Sequence, residues 1–585
     1  MPVVELKVDR NLVCPNFDGY KLSFDSVPVL RQDLGCDAYV LEPHASQFSL
    51  LHVELFARHN HLVADPWLRH HSYFFNERHQ LVQCTSDPQS GHTRGQRVVF
   101  TVDYSDQGDE RLHRPGDYNY TIIFVSERFC VICDGMTSYH LVDTGDRSRS
   151  GEQEWQRITR SPVNNASGHR GFELFDARLD VVQERKQISL VAGHVARRDA
   201  VARDQTHIYY MDLTWARWTQ LPNNEEWSYS ICQRLETTGS LQYCAFEPRA
   251  ESLVIASNRE VQTPEQRQAA EEAAAAAAVA ARLNPPVDQE IQLQNGGQAN
   301  YGWSQTDDNV LIRFKVPSTA SAEEFDVSGT STNIVVKHRD QIIFNEELYA
   351  SVGEDLGVLK LVENGLELHL TKAETQNWPR LLAQEDEGVA EEVAPMEATP
   401  LPIPDLENPL EECDLGPADE EIKMVRFNLS SGNITHTIFL GSTPLVLTTT
   451  LRPGFPAAFA TRQGVDASIW LQMYQPSRPD EWSVRHEGQL HAFGYVQASK
   501  VQRKFTACCP DLDYVVICDP VRHVLVYFPS HESAGGLRRR NGPPVSLGKQ
   551  NLVTLGDNVD EILGITTANN VITVLSKHAL LRLQV

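Results

Sequence analysis

The sequence predicts an all-β protein: a β-propeller of seven or eight blades assembled from N- and C-terminal parts, with an inserted β-sandwich and an Ala-rich helical linker. Three observations lead there. Short β-branched and aromatic runs broken by Asp, Gly, Asn and Ser turns fill both ends of the chain. Between those runs no amphipathic helical pattern appears, as a parallel α/β fold would require. In the middle, residues 298–382 alternate apolar and polar positions with a period of two.

Composition sets the class. A chain of 585 residues exceeds what one core fills, so two or three domains are expected. Its 41% hydrophobic and 22% charged residues are those of a soluble globular protein, and no apolar run approaches the roughly twenty residues of a membrane span. The start, MPVVELKVDRNLVCPNFDGY, has scattered charges and no apolar h-region, so no secretory signal is expected. The 11 cysteines are accordingly read as buried thiols in a reducing compartment, and the sequons at Asn119, Asn165, Asn428 and Asn433 carry no weight. Net charge is −26, and 14 carboxylates without a Lys or Arg lie between Glu385 and Glu421. The rest of the chain is not basic, so no nucleic-acid footprint is expected.

Taken in order, residues 1–260 read as the first part of the propeller. HSYFFN (His71 to Asn76), RVVFTVDY (Arg97 to Tyr104), YTIIFVS (Tyr120 to Ser126) and HIYYMDLTW (His207 to Trp215) are strand-like, and Asp134-Gly135 is hairpin chemistry. Residues 261–297 hold a helix and linker. Thr263 is the N-cap, Pro264 the first helical position and Gln266 the capping-box partner, after which AAEEAAAAAAVAARL runs to Asn284-Pro285-Pro286. At about 1.5 Å per residue it is a spacer of roughly 30 Å. Residues 298–382 form the sandwich, with Asn364-Gly365 as a hairpin turn; residues 383–423 form an acidic linker expected to be disordered. Residues 424–585 resume the strand pattern in YVVICDP, HVLVYFP, VITVLS and ALLRLQV. That is too little to close a ring alone, so the two ends are expected to close one propeller together.

Several residues are candidates for function. Trp303 and Trp378 fit either a partner anchor or sandwich packing. Lys315, Lys337, His338 and Arg339 would make a cationic surface if their strands were neighbours, and otherwise a solvated polar face. His59, His61, His70 and His71 are the best metal candidates, yet no Cys or carboxylate completes them at a recognised spacing. Cys130 and Cys133 are a lone half-site. Arg538-Arg539-Arg540 reads as an exposed loop or an import patch. No phosphate loop, Gly-x-Ser-x-Gly elbow or His-Glu-x-x-His is present, so neither catalysis nor a cofactor is expected.

YGWSQTDDNVLIRFKVP (Tyr301 to Pro317), FDVSGTSTNIVVKHRDQIIFNEELYASV (Phe325 to Val352) and GLELHLTKAETQNWP (Gly365 to Pro379) resemble the CS domain of the NudC family. Trp378-Pro379-Arg380-Leu381 is similar to the matching segment of the small co-chaperone of heat shock protein 90, which brings Pro379 and Arg380 into the candidate surface. Where NudC relatives usually carry Ser-Thr-Trp, this chain has Leu356-Gly357-Val358, and that Trp's role is not carried over. FDGYKLS (Phe17 to Ser23), CDGMTSYHLVDTGDR (Cys133 to Arg147), LEECD (Leu410 to Asp414) and FGYVQASK…RKFTACCPDLDYVVIC (Phe493 to Cys518) resemble a NudC subfamily with the same order of parts. The resemblance implies a non-enzymatic co-chaperone-type adaptor of cytoplasm and nucleus. Implied partners are heat shock protein 90, β-propeller clients, a DEAH-box RNA helicase or vesicle-coat components, with no direct nucleic acid and no membrane insertion. The alternative is a scaffold or trafficking subunit with no chaperone contact.

Overall fold

A computed structural model describes residues 2–87, 93–102, 116–148, 154–162, 171–198, 209–221, 226–283, 301–306, 308–314, 324–339, 341–353, 358–362, 365–373, 378, 380–383, 421–473, 478, 481–529 and 545–585. The chain forms two compact units, Met1–Ala275 with Leu406–Val585, and Ala276–Asp405.

Among the described residues, the first unit holds seven sheets of four or five strands. In ring order these blades comprise residues 63–101, 121–162, 173–237, 241–257 with 422–441, 447–490, 505–554, and 562–584 with 29–33. Packing between blades closes the ring, helped by the pairing of Val29–Asp33 with Ala579–Gln584 inside blade 7. Each neighbouring pair of blades shares a buried core, and the last core returns to the start, with Leu563, Leu575 and Leu580 of blade 7 against Phe74 and Val82 of blade 1. A propeller strand therefore has two buried faces. In VVIC, Val515 and Ile517 point into the core shared with blade 5, while Val516 and Cys518 point into the core shared with blade 7. This is why these strands read as unbroken apolar runs.

Three blades mix early and late chain, and in two of them, blades 7 and 4, the four-stranded sheet itself is divided. In blade 7, Val29–Asp33 pairs antiparallel with Ala579–Gln584. In blade 4, Ser252–Ser257 pairs with Ile422–Asn428, so the whole middle of the chain is inserted into one hairpin connection, between the second and third strands. A bidentate, buried ion pair from Arg426 Nε and Nη2 to Glu247 (2.9 and 3.2 Å) ties the chain after the insert to the chain before it. Blades 1, 2 and 6 make the equivalent connection with an Asx turn. Asn76, Asp134 and Asp519 each accept backbone N–H groups from residues two to four positions on. After Asp134, Gly135 has φ +72°, and a Cβ there would lie 1.9 Å from the Tyr118 carbonyl oxygen, so only glycine fits.

The N-terminal arm laces the outer edges of four successive blades. Val4 N donates to Thr437 O in blade 4, and Asp9 N to His486 Nδ1 in blade 5. Phe17–Leu22 adds a parallel fifth strand to Ser546–Thr554 of blade 6, before Val29–Asp33 completes blade 7. The chain then crosses the ring through helix α1 (Leu50–Arg58) to reach the inner strand of blade 1.

The second unit is a two-sheet sandwich. Its four-stranded sheet runs in the order Tyr301–Gln305, Asn309–Phe314, Gly365–Thr371, Val358–Val362; its three-stranded sheet comprises Phe325–Gly329, Asn333–His338 and Gln341–Glu347. Val310, Ile312, Phe314, Ile334, Val336, Leu366, Leu368 and Leu370 fill the space between them. The expected turn at Asn364 and residues 384–420 of the expected linker lie outside the described residues, while Ile422 and Lys423, read as the linker's end, already belong to the blade 4 strand Ile422–Asn428.

Candidate functional site

The residues that carry the resemblance meet inside the sandwich. Gln305 is their hub: its Oε1 accepts from Trp378 N (2.8 Å) and Lys372 Nζ (2.8 Å), and its Nε2 donates to Trp378 O (2.7 Å). Lys372 Nζ also donates to Thr306 O at 2.7 Å and lies 5.8 Å from the Trp378 ring. This knot pins the stretch after the last strand to the start of the first. Trp303 and Trp378 are 8% and 1% exposed and belong to the core, which removes them as surface anchors. The packing role is theirs.

The proposed cationic surface is also corrected. Lys337 and His338 sit on Asn333–His338 in the three-stranded sheet, whereas the strand leading to Lys315, Asn309–Phe314, belongs to the other sheet. The two strands are not neighbours. Lys315 and Pro379 themselves lie outside the described residues. His338 Nε2 is 3.3 Å and Arg339 Nη2 2.6 Å from Glu324, so this end of the sheet is charge-balanced. Arg380 is exposed, its guanidinium 5.8 Å from the Tyr349 ring. Sequence reading missed a charged row across the outer face of the four-stranded sheet. There Arg313, Glu367 and Lys360 stand opposite one another, with Arg313 Nε 3.0 Å and His369 Nε2 3.2 Å from Glu367. The Arg313 hydrogen bond, set against burial, holds the Glu367 carboxyl below its usual range. In-register alternation on three strands was the available signal.

The propeller's central opening is occupied by its own chain at both mouths. At one, Ser49 caps α1, whose surroundings span the ring. Phe56 stacks on Tyr118 before blade 2, Arg58 donates to Leu241 O in blade 4, and Asn60 exchanges hydrogen bonds with Ile565 of blade 7. Glu54, Arg58, Glu173 and Asp176 line a cavity of about 260 Å³ beneath the helix. The other mouth receives the 450–457 loop of blade 5, where Gly454 O accepts from Arg178 of blade 3 and Gly454 faces Trp67 of blade 1. Outer-to-inner and inner-to-second connections leave opposite ends of the strands, so the two plugs lie at opposite ends.

The histidines do not assemble as a metal site. His59 and His61 stand with ring centroids 4.6 Å apart beside α1, and His59 Nδ1 is 3.4 Å from Glu173 Oε1. His71 is on a blade 1 strand. Among the described residues, no group of three or more His, Cys, Asp or Glu side chains is placed to hold a metal ion. Cys130 and Cys133 point into different cores, and burial raises both thiols above the usual range. The Arg538–Arg540 patch lies outside the described residues.

The insert leaves blade 4 through a fixed base. Thr263 and Gln266 form the complete capping box: Gln266 N donates to Thr263 Oγ1 (3.1 Å) and Thr263 N to Gln266 Oε1 (2.9 Å). Helix α2 (Pro264–Leu283) follows, and Arg267 Nε reaches Glu236 Oε2 of blade 3 at 2.8 Å.

Residues 299–372, which cover nearly all of this sandwich, match the CS domain family. The inserted sandwich is a CS domain. Over 604 residues the chain is 25% identical to NudC domain-containing protein 1 of Mus musculus, covering 99% of this chain and 98% of that protein. The Xenopus laevis protein of that name is 25% identical over 605 residues, covering 98% and 97%. Among solved structures, the nuclear movement protein from E. cuniculi GB-M1 covers 14% of this chain and 99% of its own, at 23% identity and TM-score 0.13. Sqt1 from Chaetomium thermophilum covers 90% and 96%, at 11% identity and TM-score 0.29. The seven-blade assignment rests on the sheets and cores described above.

Proposed function

We propose that this chain is a non-catalytic adaptor of the co-chaperone type, binding one protein through outer surfaces of the propeller and another through its CS domain. The observation that supports this reading is the mounting. A complete CS domain is carried within a single blade connection of a complete propeller, so two folded modules of kinds that bind proteins are delivered by one chain. Linking two weak sites raises effective concentration without new contacts. With α1 and the 450–457 loop lying against the inner strands of several blades, we infer that partners use the outer surfaces. The partners we infer from the NudC likeness are heat shock protein 90, β-propeller clients, a DEAH-box RNA helicase or vesicle-coat components, and the location we infer is cytoplasm and nucleus. The test compares residues 298–382 with the full chain as bait. The isolated CS domain is expected to fold yet to lose most partners captured by the whole; equal capture by both sinks the two-site reading.

The Leu356-Gly357-Val358 departure favours a second reading, a scaffold or trafficking subunit without chaperone contact. Pull-down with heat shock protein 90, with and without nucleotide, separates the two. Association in either state supports the co-chaperone, and none in both supports the scaffold.

A further inference from the structure

A groove of about 430 Å³ lies where the N-terminal arm passes from blade 4 to blade 5. The arm forms one wall, held by a parallel bridge from Val3 to Thr437 and by Val4 N donating to Thr437 O. Phe439 and Leu440 of blade 4 line it, as do Arg462 and Gln463, which end the blade 5 strand Ala458–Gln463. Its apolar part is open to solvent, with Val3 58% and Phe439 47% exposed. Its charge is cationic. Lys7 and Arg462 line it with a single carboxylate, Glu5, and the exposed Lys423 has its Nζ 5.8 Å from the Phe439 ring. The Lys7–Glu5 pair, 3.7 Å apart with side chains 82% and 76% exposed, neutralises little of that charge.

The acidic linker rejoins the propeller beside this groove. Ile422 pairs with Gly441, and Lys423 pairs with Phe439 itself. Within the linker the carboxylates come in two settings. Glu385–Glu387, Glu391 and Glu392 stand among Gly, Val and Ala, whereas LENPLEECDL, Leu406–Leu415, sets three leucines among Glu407, Glu411, Glu412 and Asp414. Only the second setting matches a groove that is both apolar and cationic. We propose that Leu406–Leu415 docks in this groove of its own chain, with its leucines against Phe439 and Leu440 and its carboxylates toward Lys7, Lys423 and Arg462. The seven residues from Leu415 to Ile422 span up to about 23 Å when extended, enough to lead the segment there. A short tether sets an effective concentration on the order of millimolar, so a modest affinity keeps the groove filled. A partner that uses this groove has to displace the segment.

The test replaces Leu406–Leu415 in the full chain with Gly and Ser residues at unchanged length, and titrates a fluorescent peptide of residues 405–416 up to about 1 mM. The peptide is expected to bind the replaced chain, to bind the parent at least tenfold more weakly because the native segment already occupies the groove, and to lose affinity as salt rises. Lys7→Glu combined with Lys423→Glu, both on exposed side chains, is expected to cut binding to the replaced chain at least tenfold with the melting temperature unchanged. Changing Leu410→Ser and Leu415→Ser in the peptide is expected to do the same. Carbodiimide cross-linking of a mixture of isotope-labelled and unlabelled parent chain is expected to join Lys7 or Lys423 to Glu411, Glu412 or Asp414 within one copy. The proposal is overturned by a peptide that does not bind the replaced chain, by equal binding to parent and replaced chains, by a charge-reversed groove that binds as before, or by cross-links that run between copies.

Discussion

Gln305 shows how much one polar side chain organises. Three of its hydrogen bonds fix Lys372 and the backbone of Trp378, and removing it takes one hydrogen bond from a buried ammonium, which keeps Thr306 O, and the Gln305 partner from two backbone groups. Leaving such groups unsatisfied costs about 1–3 kcal/mol each, partly relieved by relaxation. Gln305→Ala is therefore expected to lower CS domain stability by about 2–4 kcal/mol, read from urea unfolding, while the propeller transition stays put. The same residues mark the limit of sequence reading. Trp-x-Gln-Thr and the distant Trp-Pro were legible as one signature, but a signature does not say whether its aromatic residues face in or out. Burial assigns the two tryptophans to the core, and separate sheets dissolve the proposed cationic cluster.

Among elements, legibility followed burial. Sandwich strands have one wet face, so their alternation was plain. Propeller strands are buried on both faces, so they were visible as apolar runs from which the number of blades did not follow. Two elements went unread. Helix α1, LLHVELFAR, turns Leu51, Leu55 and Phe56 inward, but Leu50 and Val53 stand exposed on the other side and the helix is only nine residues long, so its stripe is blurred in the sequence; its Ser49 cap was the remaining signal. The N-terminal arm is short and pairs with strands more than 500 residues later, a distance that no local pattern reports. The position of the insert has a consequence for stability. It replaces a turn that Asn76, Asp134 and Asp519 make elsewhere, while the Arg426–Glu247 pair closes the blade behind it. Replacing residues 264–420 with a short Asp-Gly turn is expected to leave a cooperatively unfolding propeller whose midpoint lies within a few degrees of the parent. A broad, non-cooperative melt would refute this.

For the whole molecule, protonation sets the pH window of stability. Burial lowers the pKa of His52, His61, His70, His71, His79, His436 and His486, all in the propeller, below the ordinary 6.5. Their neutral forms suit the fold, so this contribution is complete above 6.5 and is lost as pH falls through that value, where the unfolded chain takes up protons that the folded one refuses. Against burial, hydrogen bonds to Asp134, Asp466 and Asp519 hold these carboxyls below 3.8, a contribution present above that pH and lost beneath it. Calorimetry is expected to show the propeller melting several degrees lower at pH 5.5 than at pH 7.5; an unchanged midpoint would contradict the burial of these imidazoles. The divided fourth blade also orders events during synthesis. Between Ser257 and Ile422 the ribosome must add 164 residues, on the order of ten to thirty seconds at typical elongation rates. Throughout that interval half a blade waits with an open flank, while the passenger domain emerges complete and folds before its host. The ring itself has no seal until Ala579–Gln584 arrives to meet residues made at the very beginning.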